Sequence, residues 1–479
     1  MTDFLFSVRR DGNAQLDGYE GDEADLVIPS LFEGHTVTSI ADNAFSWSSC
    51  LRSVSIPDTV TTLGEAAFSW CETLVRVDIP ASVRTIGEWC FIGCSSLRSV
   101  SIPHGVKKIN YSTFQSCTSL TSVDLPDTLK AIGPEAFSEC RALRSVTLPK
   151  GVASLGDNAF SSCESLESIN LPSALTELGN DVFSGCLSLT RFEIPAGHSH
   201  FREEDGVLIN SREHKLLFYP FRKTDHPYDV PDDICVIAEE AFANRTHLTA
   251  IRFPSFLRHI EQKAFYGCRG LREIYIPDSV DKISANAFHG CSSLKEVRLP
   301  SGLSVIGYSL FYACASLSSV DIPPAVRIIS PCAFSGCSNL SSLSLPPDLI
   351  EIGDSAFEGC RSLENVILPP SLEVIGAHAF GSCTALESIS LSDNMKLIPD
   401  RAFSRCVNLN DVRLPANLEE IGSEAFESCE SLLSLQLPPS VHQIEADAFS
   451  NCRHLMLFVF PESYAKEYAS YHGFLFSEV

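Results

Sequence analysis

A phenylalanine recurs at a fixed interval of 23 residues, as Phe45, Phe68, Phe91, Phe114, Phe137, Phe160 and Phe183, and again from Phe242 through Phe449. Seventeen positions keep this count. Leucine stands six residues after each of them, and proline stands twelve after, Ser392 being the one departure. A unit so short cannot bury an apolar face alone, whereas stacked copies share one continuous core, so such a chain grows in one dimension. Its 479 residues therefore need not divide into the three or so domains that length alone would suggest.

Within one unit, Val123 and Leu125 alternate with Ser122 and Asp124, the two-residue period of a strand with one face buried. Pro126 has no N–H to extend a ladder and ends the strand. Strands of about four residues are expected to stack in parallel register. The segment before the leucine reads small-Phe-x-x-Cys, as in Ala136-Phe137 to Cys140 and Ala356-Phe357 to Cys360. The small residue lets the turn pack closely and the ring fills the interior.

The predicted fold is a β-rich solenoid of seventeen 23-residue repeats with one hairpin insert. Residues 1–40 form an N-terminal capping hairpin turning at Arg10-Asp11-Gly12-Asn13, and 41–195 the first block of repeats. Residues 196–234 are the insert, 235–461 the second block, and 462–479 a cap with a short helix after Pro461 and a closing strand at Phe474-Leu475-Phe476.

The string Ile132-Gly133-Pro134-Glu135-Ala136-Phe137-Ser138-Glu139-Cys140-Arg141-Ala142-Leu143-Arg144-Ser145-Val146-Thr147-Leu148-Pro149 resembles the unit of the BspA-like, or Treponema-type, leucine-rich repeat family. The likeness runs through nearly the whole chain. It implies a right-handed superhelix with a parallel sheet on its concave side, and a role in surface adhesion or in binding protein or matrix.

Hydrophobic residues make up 44% and charged residues 20%, far from the signature of disorder, so the whole chain should fold. The formal net charge of −25 repels phosphate, which argues against nucleic acid and anionic membrane surfaces as partners. Nor does any segment have the ~18 uninterrupted apolar residues of a membrane span. The opening residues lack the basic and apolar regions of a secretory signal, so a cytoplasmic location is expected. The alternative is the cell surface or secretion, were a leader to precede this sequence.

Fifteen of the nineteen cysteines sit three residues after a repeat phenylalanine; the others are Cys50, Cys90, Cys235 and Cys332. Adjacent coils bring successive Cα atoms within disulfide range, but equivalent side chains point in parallel rather than at one another. Buried reduced thiols are therefore favoured over bridges, and with them a reducing compartment. No Cys-x-x-Cys pair suggests zinc.

Phe183 to Phe242 spans 59 residues, so one step carries 36 more than the period. Two strands, Asp205–Asn210 and Lys215–Pro220, are expected there as a hairpin projecting from the stack, either a contact element or a tolerated insertion. His198, His200, His214 and His226 crowd this insert with Glu203, Glu204 and Asp205. On a strand, His198 and His200 would share a face as metal ligands could, yet the spacing matches no zinc signature and surface loops accumulate such residues without metal.

Outward sheet positions lie eight and ten residues after each phenylalanine. Most are small and polar, such as Ser99, Ser101, Ser122 and Asp124. Beside the insert they become Arg191 and Glu193, Arg252, Glu273 and Tyr275, Glu296 and Arg298, with Arg272 and Lys295 at the rim. Binding hot spots favour such exposed Tyr and Arg, although charges across strands can also simply pair with each other. No phosphate-binding loop, metalloprotease motif or nucleophile elbow occurs, and catalysis needs one unrepeated constellation. The chain reads as a non-catalytic, monomeric scaffold without cofactor. Its expected partner is a protein, with a glycan as the second class; the other role open to it is adhesin or structural spacer.

Overall fold

The computed structural model describes residues 3–224 and 227–479 and divides them into two compact units, Met1–Lys223 and Thr224–Val479. The division falls inside the predicted insert. Each unit is a parallel β-solenoid whose coils carry two short strands rather than one. The first is the anticipated sheet strand, of two or three residues in most coils, such as Ser99–Ser101, paired in register with Ser122–Asp124. The second has only two residues and lies just before the turn, such as Lys108–Ile109, Ala131–Ile132 and Ser154–Leu155.

The turn between these two ladders explains the rest of the motif. Residues two before and two after each phenylalanine adopt left-handed backbone in nearly every coil, for example Asn43 (φ 59°) and Trp47 (φ 64°) around Phe45. That geometry aims alternate N–H groups at the next coil: Asn43 donates to Glu65 O, Phe45 to Ala67 O and Trp47 to Ser69 O. The turn is thus a third hydrogen-bonded ladder, and few of its backbone donors are orphaned. Glycine after the two-residue strand has a different cause. A Cβ on Gly376 would stand 2.3 Å from the Asp354 nitrogen, so at this coil glycine lets the backbones approach closely, whereas Asn110, Glu261 and Ser284 occupy the same position elsewhere.

Inside each unit the phenylalanine rings form a continuous stack. Phe91, Phe114 and Phe137 are fully buried, with centroids 5.4 Å apart at each step and planes within 8°. Each of the fifteen repeat cysteines lies beside this stack and donates its thiol to the carbonyl of the preceding coil's phenylalanine, as Cys140 Sγ does to Phe114 O at 3.2 Å. All nineteen thiols are unbridged. Burial pushes the Cys71 and Cys337 thiols up to about 12 and those of Cys94, Cys140 and Cys291 well above their ordinary value.

The first unit opens with the antiparallel hairpin Phe4–Val8 and Ala14–Tyr19, whose second strand joins His35–Ile40 in parallel and so continues the two-residue ladder. A second hairpin, Leu31–Phe32 with His35–Ile40, turns on Glu33 and Gly34, both left-handed. The unit ends on three antiparallel strands, Phe201–Glu204, Val207–Asn210 and Lys215–Phe218. The two expected strands are there and pair as a hairpin, but a third strand joins them and the hairpin does not project. Phe201, Leu208 and Phe218 join the apolar core beside Phe183 and Phe192, and Val207–Asn210 is buried throughout, so the insert continues the core.

The second unit ends on the helix Tyr464–His472, capped by Ser463 and closed by left-handed Gly473. Tyr468 and Phe474 lie edge-on against Phe449, covering the last ring of the stack, and the strand Leu475–Glu478 pairs with Met456–Val459.

Candidate functional site

The sheet strands hold their middle residue in the core and present the flanking two to solvent, so exposed chemistry is read from columns of stacked positions. In the first unit serine fills seven of these fourteen positions; Ser99 faces Ser122, Ser101 Oγ donates to Asp124 at 3.1 Å, and Arg76 pairs with Asp78 along one strand at 2.8 Å. Arg191 and Glu193 lie at the last of these strands, on either side of buried Phe192. Both are exposed, and the Arg191 guanidinium stands 3.8 Å from the Glu193 carboxylate.

The other seven residues singled out from the sequence belong to the second unit. Arg252 ends the strand Ile251–Arg252 and donates to Asp229 at 3.2 Å, both side chains well solvated. The next two strands, Glu273–Tyr275 and Glu296–Arg298, pair in parallel, setting Glu273 opposite Glu296 and Tyr275 opposite Arg298 above buried Ile274 and Val297. One step outside the sheet, Lys295 N donates to Arg272 O, which puts their two cationic side chains on adjacent coils.

Two like-charged columns therefore run side by side, Arg272 with Lys295 and Glu273 with Glu296. Like charges directly opposite each other destabilise a sheet. Among the described residues none of these four makes an ion pair within 4.0 Å. Tyr275, 46% exposed, has its phenol pushed up by desolvation and by the carboxylates of Glu296 and Glu273. Arg298 reaches Asp278 only at 3.9 Å. Tyr275, Lys295, Glu296 and Arg298 line a shallow recess of about 610 Å³ that extends over Ser319 and Asp321 to Pro323. Asp278, Ser319 and Asp321 belong to this surface and were not among the residues expected; their own columns gave no signal apart from the neighbours they border.

Among the described residues, the histidines of the insert do not form a ligand set. His198 and His200 precede the strand Phe201–Glu204 rather than alternate along one. His198 Nδ1 accepts from the backbone N–H groups of His200 and Phe201, and its Nε2 lies 3.1 Å from Pro172 O. His200 meets Ser199 through Nδ1 and Arg212 through Nε2. His226 lies outside the described residues. Among those described, no group of three His, Cys, Asp or Glu side chains is placed to hold a metal ion, and no helix is long and apolar enough to cross a membrane.

Solved structures carry the same architecture. A leucine rich cell surface protein of Faecalibacterium prausnitzii A2-165 is 27% identical, with a TM-score of 0.55 over 86% of this chain and 93% of its own. A leucine-rich repeat protein of Eubacterium ventriosum ATCC 27560, at 22% identity, matches 80% of this chain and 93% of its own with a TM-score of 0.58 and speaks to the fold alone. No curated protein gives a significant match. The family model described as BspA type Leucine rich repeat region matches residues 27–118, 107–204, 221–341 and 327–456, so the coils, their phenylalanine stacks and their thiol ladders are those of a member of the BspA-type leucine-rich repeat family.

Proposed function

We propose that this chain is a non-catalytic scaffold that holds a protein partner on the exposed sheet face near the start of its second unit, centred on Tyr275 and Arg298. The observation that carries this reading is the pair of facing carboxylates, Glu273 and Glu296, in a column where nine other coils carry serine and no other two adjacent coils carry like charges. Stability alone favours the serines. A partner presenting a cation beside an apolar group would relieve the repulsion while packing on the tyrosine face, the combination that concentrates binding energy at a few residues. Leucine-rich repeat families commonly mediate protein binding or adhesion, which supports the coarser part of this reading.

The test places a photoreactive residue at Tyr275, with a second at Ser122 on the serine-lined face as the control. A partner cross-linked at Tyr275, absent at Ser122 and lost in the Arg298→Ala background supports the site. Equal capture at both positions, or capture indifferent to Arg298, removes it.

A second reading, display at a cell surface as an adhesin or spacer, is favoured by the likeness to the F. prausnitzii leucine rich cell surface protein. Nineteen unbridged thiols favour the reducing interior instead. Cell fractionation with an antibody to the folded chain separates the two.

A further inference from the structure

All three tryptophans of the chain, Trp47, Trp70 and Trp89, fall on three successive coils at the start of the first unit, each on a left-handed corner of the phenylalanine turn. Trp47 and Trp70 share the column two residues after the phenylalanine. Their rings stack 5.2 Å apart with planes within 9°. Six other coils fill this column with glycine, the residue its backbone suits: Gly93, Gly185, Gly267, Gly290, Gly336 and Gly359.

A bulky aromatic side chain is disfavoured at positive φ unless its surroundings compensate. Burial does not compensate here, because Trp47 is 66% and Trp70 36% exposed. The same corner carries Ser116, Glu139, Ser162 and Arg405 in other coils, so the backbone does not call for the rings; two exposed, stacked indoles that gain little from the core point to a use of their own. The third coil accommodates them as well. A Cβ on Gly93 would lie 2.3 Å from the Trp70 ring, so glycine there lets the indole lie flat against the coil.

The rim of this shelf is polar. Ser46 and Ser69 hydroxyls are bonded to each other at 2.7 Å, and Asn43, Ser49, Glu65 and Glu72 are exposed on the same two turns. Those turns, residues 41–50 and 64–73, contain no Lys or Arg, so the rings have no cation of their own, and their carboxylates repel an anionic ligand. Nor is the pair part of a wider apolar patch. The unit's other exposed large hydrophobic residues, such as Val27 and Leu187, lie off these turns, and a protein hot spot would need a surround that excludes water.

We propose that the Trp47–Trp70 shelf is a binding site for a neutral polysaccharide. A pyranose ring lays its C–H face on an indole, and its hydroxyls exchange hydrogen bonds with the amide, hydroxyls and carboxylates of the rim, an apolar platform with a few polar groups fixing orientation. The shelf is on the turn and not on the sheet strands, so it does not depend on the protein-binding reading of Tyr275 and Arg298.

Because every tryptophan lies in these three coils, emission excited selectively at tryptophan, beyond tyrosine absorption, reports on this region alone. Titration with cellohexaose, mannohexaose and an anionic oligogalacturonate, repeated by calorimetry, tests the proposal. At least one neutral hexaose should give a saturable change that the oligogalacturonate does not. Trp47→Ala, an exposed change whose fold is checked by circular dichroism, should weaken binding by about tenfold or more, while Trp47→Phe retains most of it. The Tyr275→Ala/Arg298→Ala variant should bind the sugar unchanged. The proposal falls if neither neutral hexaose binds, if the anionic probe binds equally well, or if Trp47→Ala leaves affinity intact. Emission that depends on protein concentration without sugar would assign the shelf to a second copy and also overturn it.

Discussion

Alkaline pH should dismantle the thiol ladder. In the first unit burial pushes Cys71 up to about 12 and holds Cys90, Cys94, Cys117, Cys140 and Cys163 far above the ordinary 9.0. Below 9.0 the thiols are neutral in the folded and unfolded chain alike, so their contribution is fully present and independent of pH. Above it the unfolded chain releases protons that the folded chain keeps, and stability falls as pH climbs from 9.0 toward the folded values. Each thiol loses about 1–2 kcal/mol for each pH unit past 9.0. Six of them lose roughly 6–12 kcal/mol by about pH 10, comparable with the whole stability of an ordinary domain. Urea midpoints followed by circular dichroism in reductant, at about pH 8, 9 and 10, should therefore drop steeply between the last two. Tyrosine and lysine titrate there as well, so the comparison is with Cys117→Ala/Cys140→Ala/Cys163→Ala. That variant starts less stable, having lost three thiol-to-carbonyl bonds, but its dependence on pH should be shallower by roughly 3–6 kcal/mol per unit. Parallel slopes for the two proteins would refute the reasoning.

Three further outcomes follow from the packing. Phe114→Ala removes a fully buried ring stacked on both sides and should cost about 3–5 kcal/mol, with hydrogen exchange rising first in the coils of Phe91 and Phe137 and later near Phe45; uniform loss of protection would deny the neighbour-by-neighbour stability of the stack. Gly93→Ala forces a side chain onto a φ of +70° and into the Trp70 ring, so near-ultraviolet circular dichroism of the tryptophan pair should change, and an unaltered spectrum would contradict the contact. Ser463→Ala deletes the hydroxyl that accepts from Lys466 N at 3.3 Å and should weaken the C-terminal helix by about 1 kcal/mol, seen as faster proteolysis of the tail.

The repeat made much of this fold legible, because a column of identical residues announces its own environment. Phe114, Leu120 and Cys117 are buried without exposure, as their period requires, and the hairpin at Arg10–Asn13 and the helix after Pro461 appeared where turn and capping residues stand. The second ladder was not legible. A two-residue strand such as Thr85–Ile86 offers one inward side chain, and alternation needs more than that to be seen. The strand Phe201–Glu204 was hidden by its three charged residues, whose partners across Val207–Asn210 fix it there rather than any pattern of its own. The left-handed corners were equally silent, since Trp47, Glu139 and Ser162 hold a backbone that glycine would have advertised. In the candidate site, sequence placed Tyr275 and Arg298 on one face, but their direct opposition and the recess reaching Asp321 needed the register between coils.

Parallel register also says where function can be sought in a solenoid. Stacking sets the same position of every coil about 5 Å apart, so any charge a column repeats must face itself. A column of serines avoids this, and Ser99 over Ser122, Ser319 over Ser342 and Asn365 over Ser388 do so. Glu273 over Glu296 does not, and neither Arg272 nor Lys295 closes an ion pair with them. Trp47 over Trp70 breaks its column in another way, with large rings where glycine fits the backbone. The coils need neither departure to stack, since their neighbours stack without them. A repeat makes the residues that hold the fold interchangeable, and the residues that are not interchangeable are left as the ones to perturb.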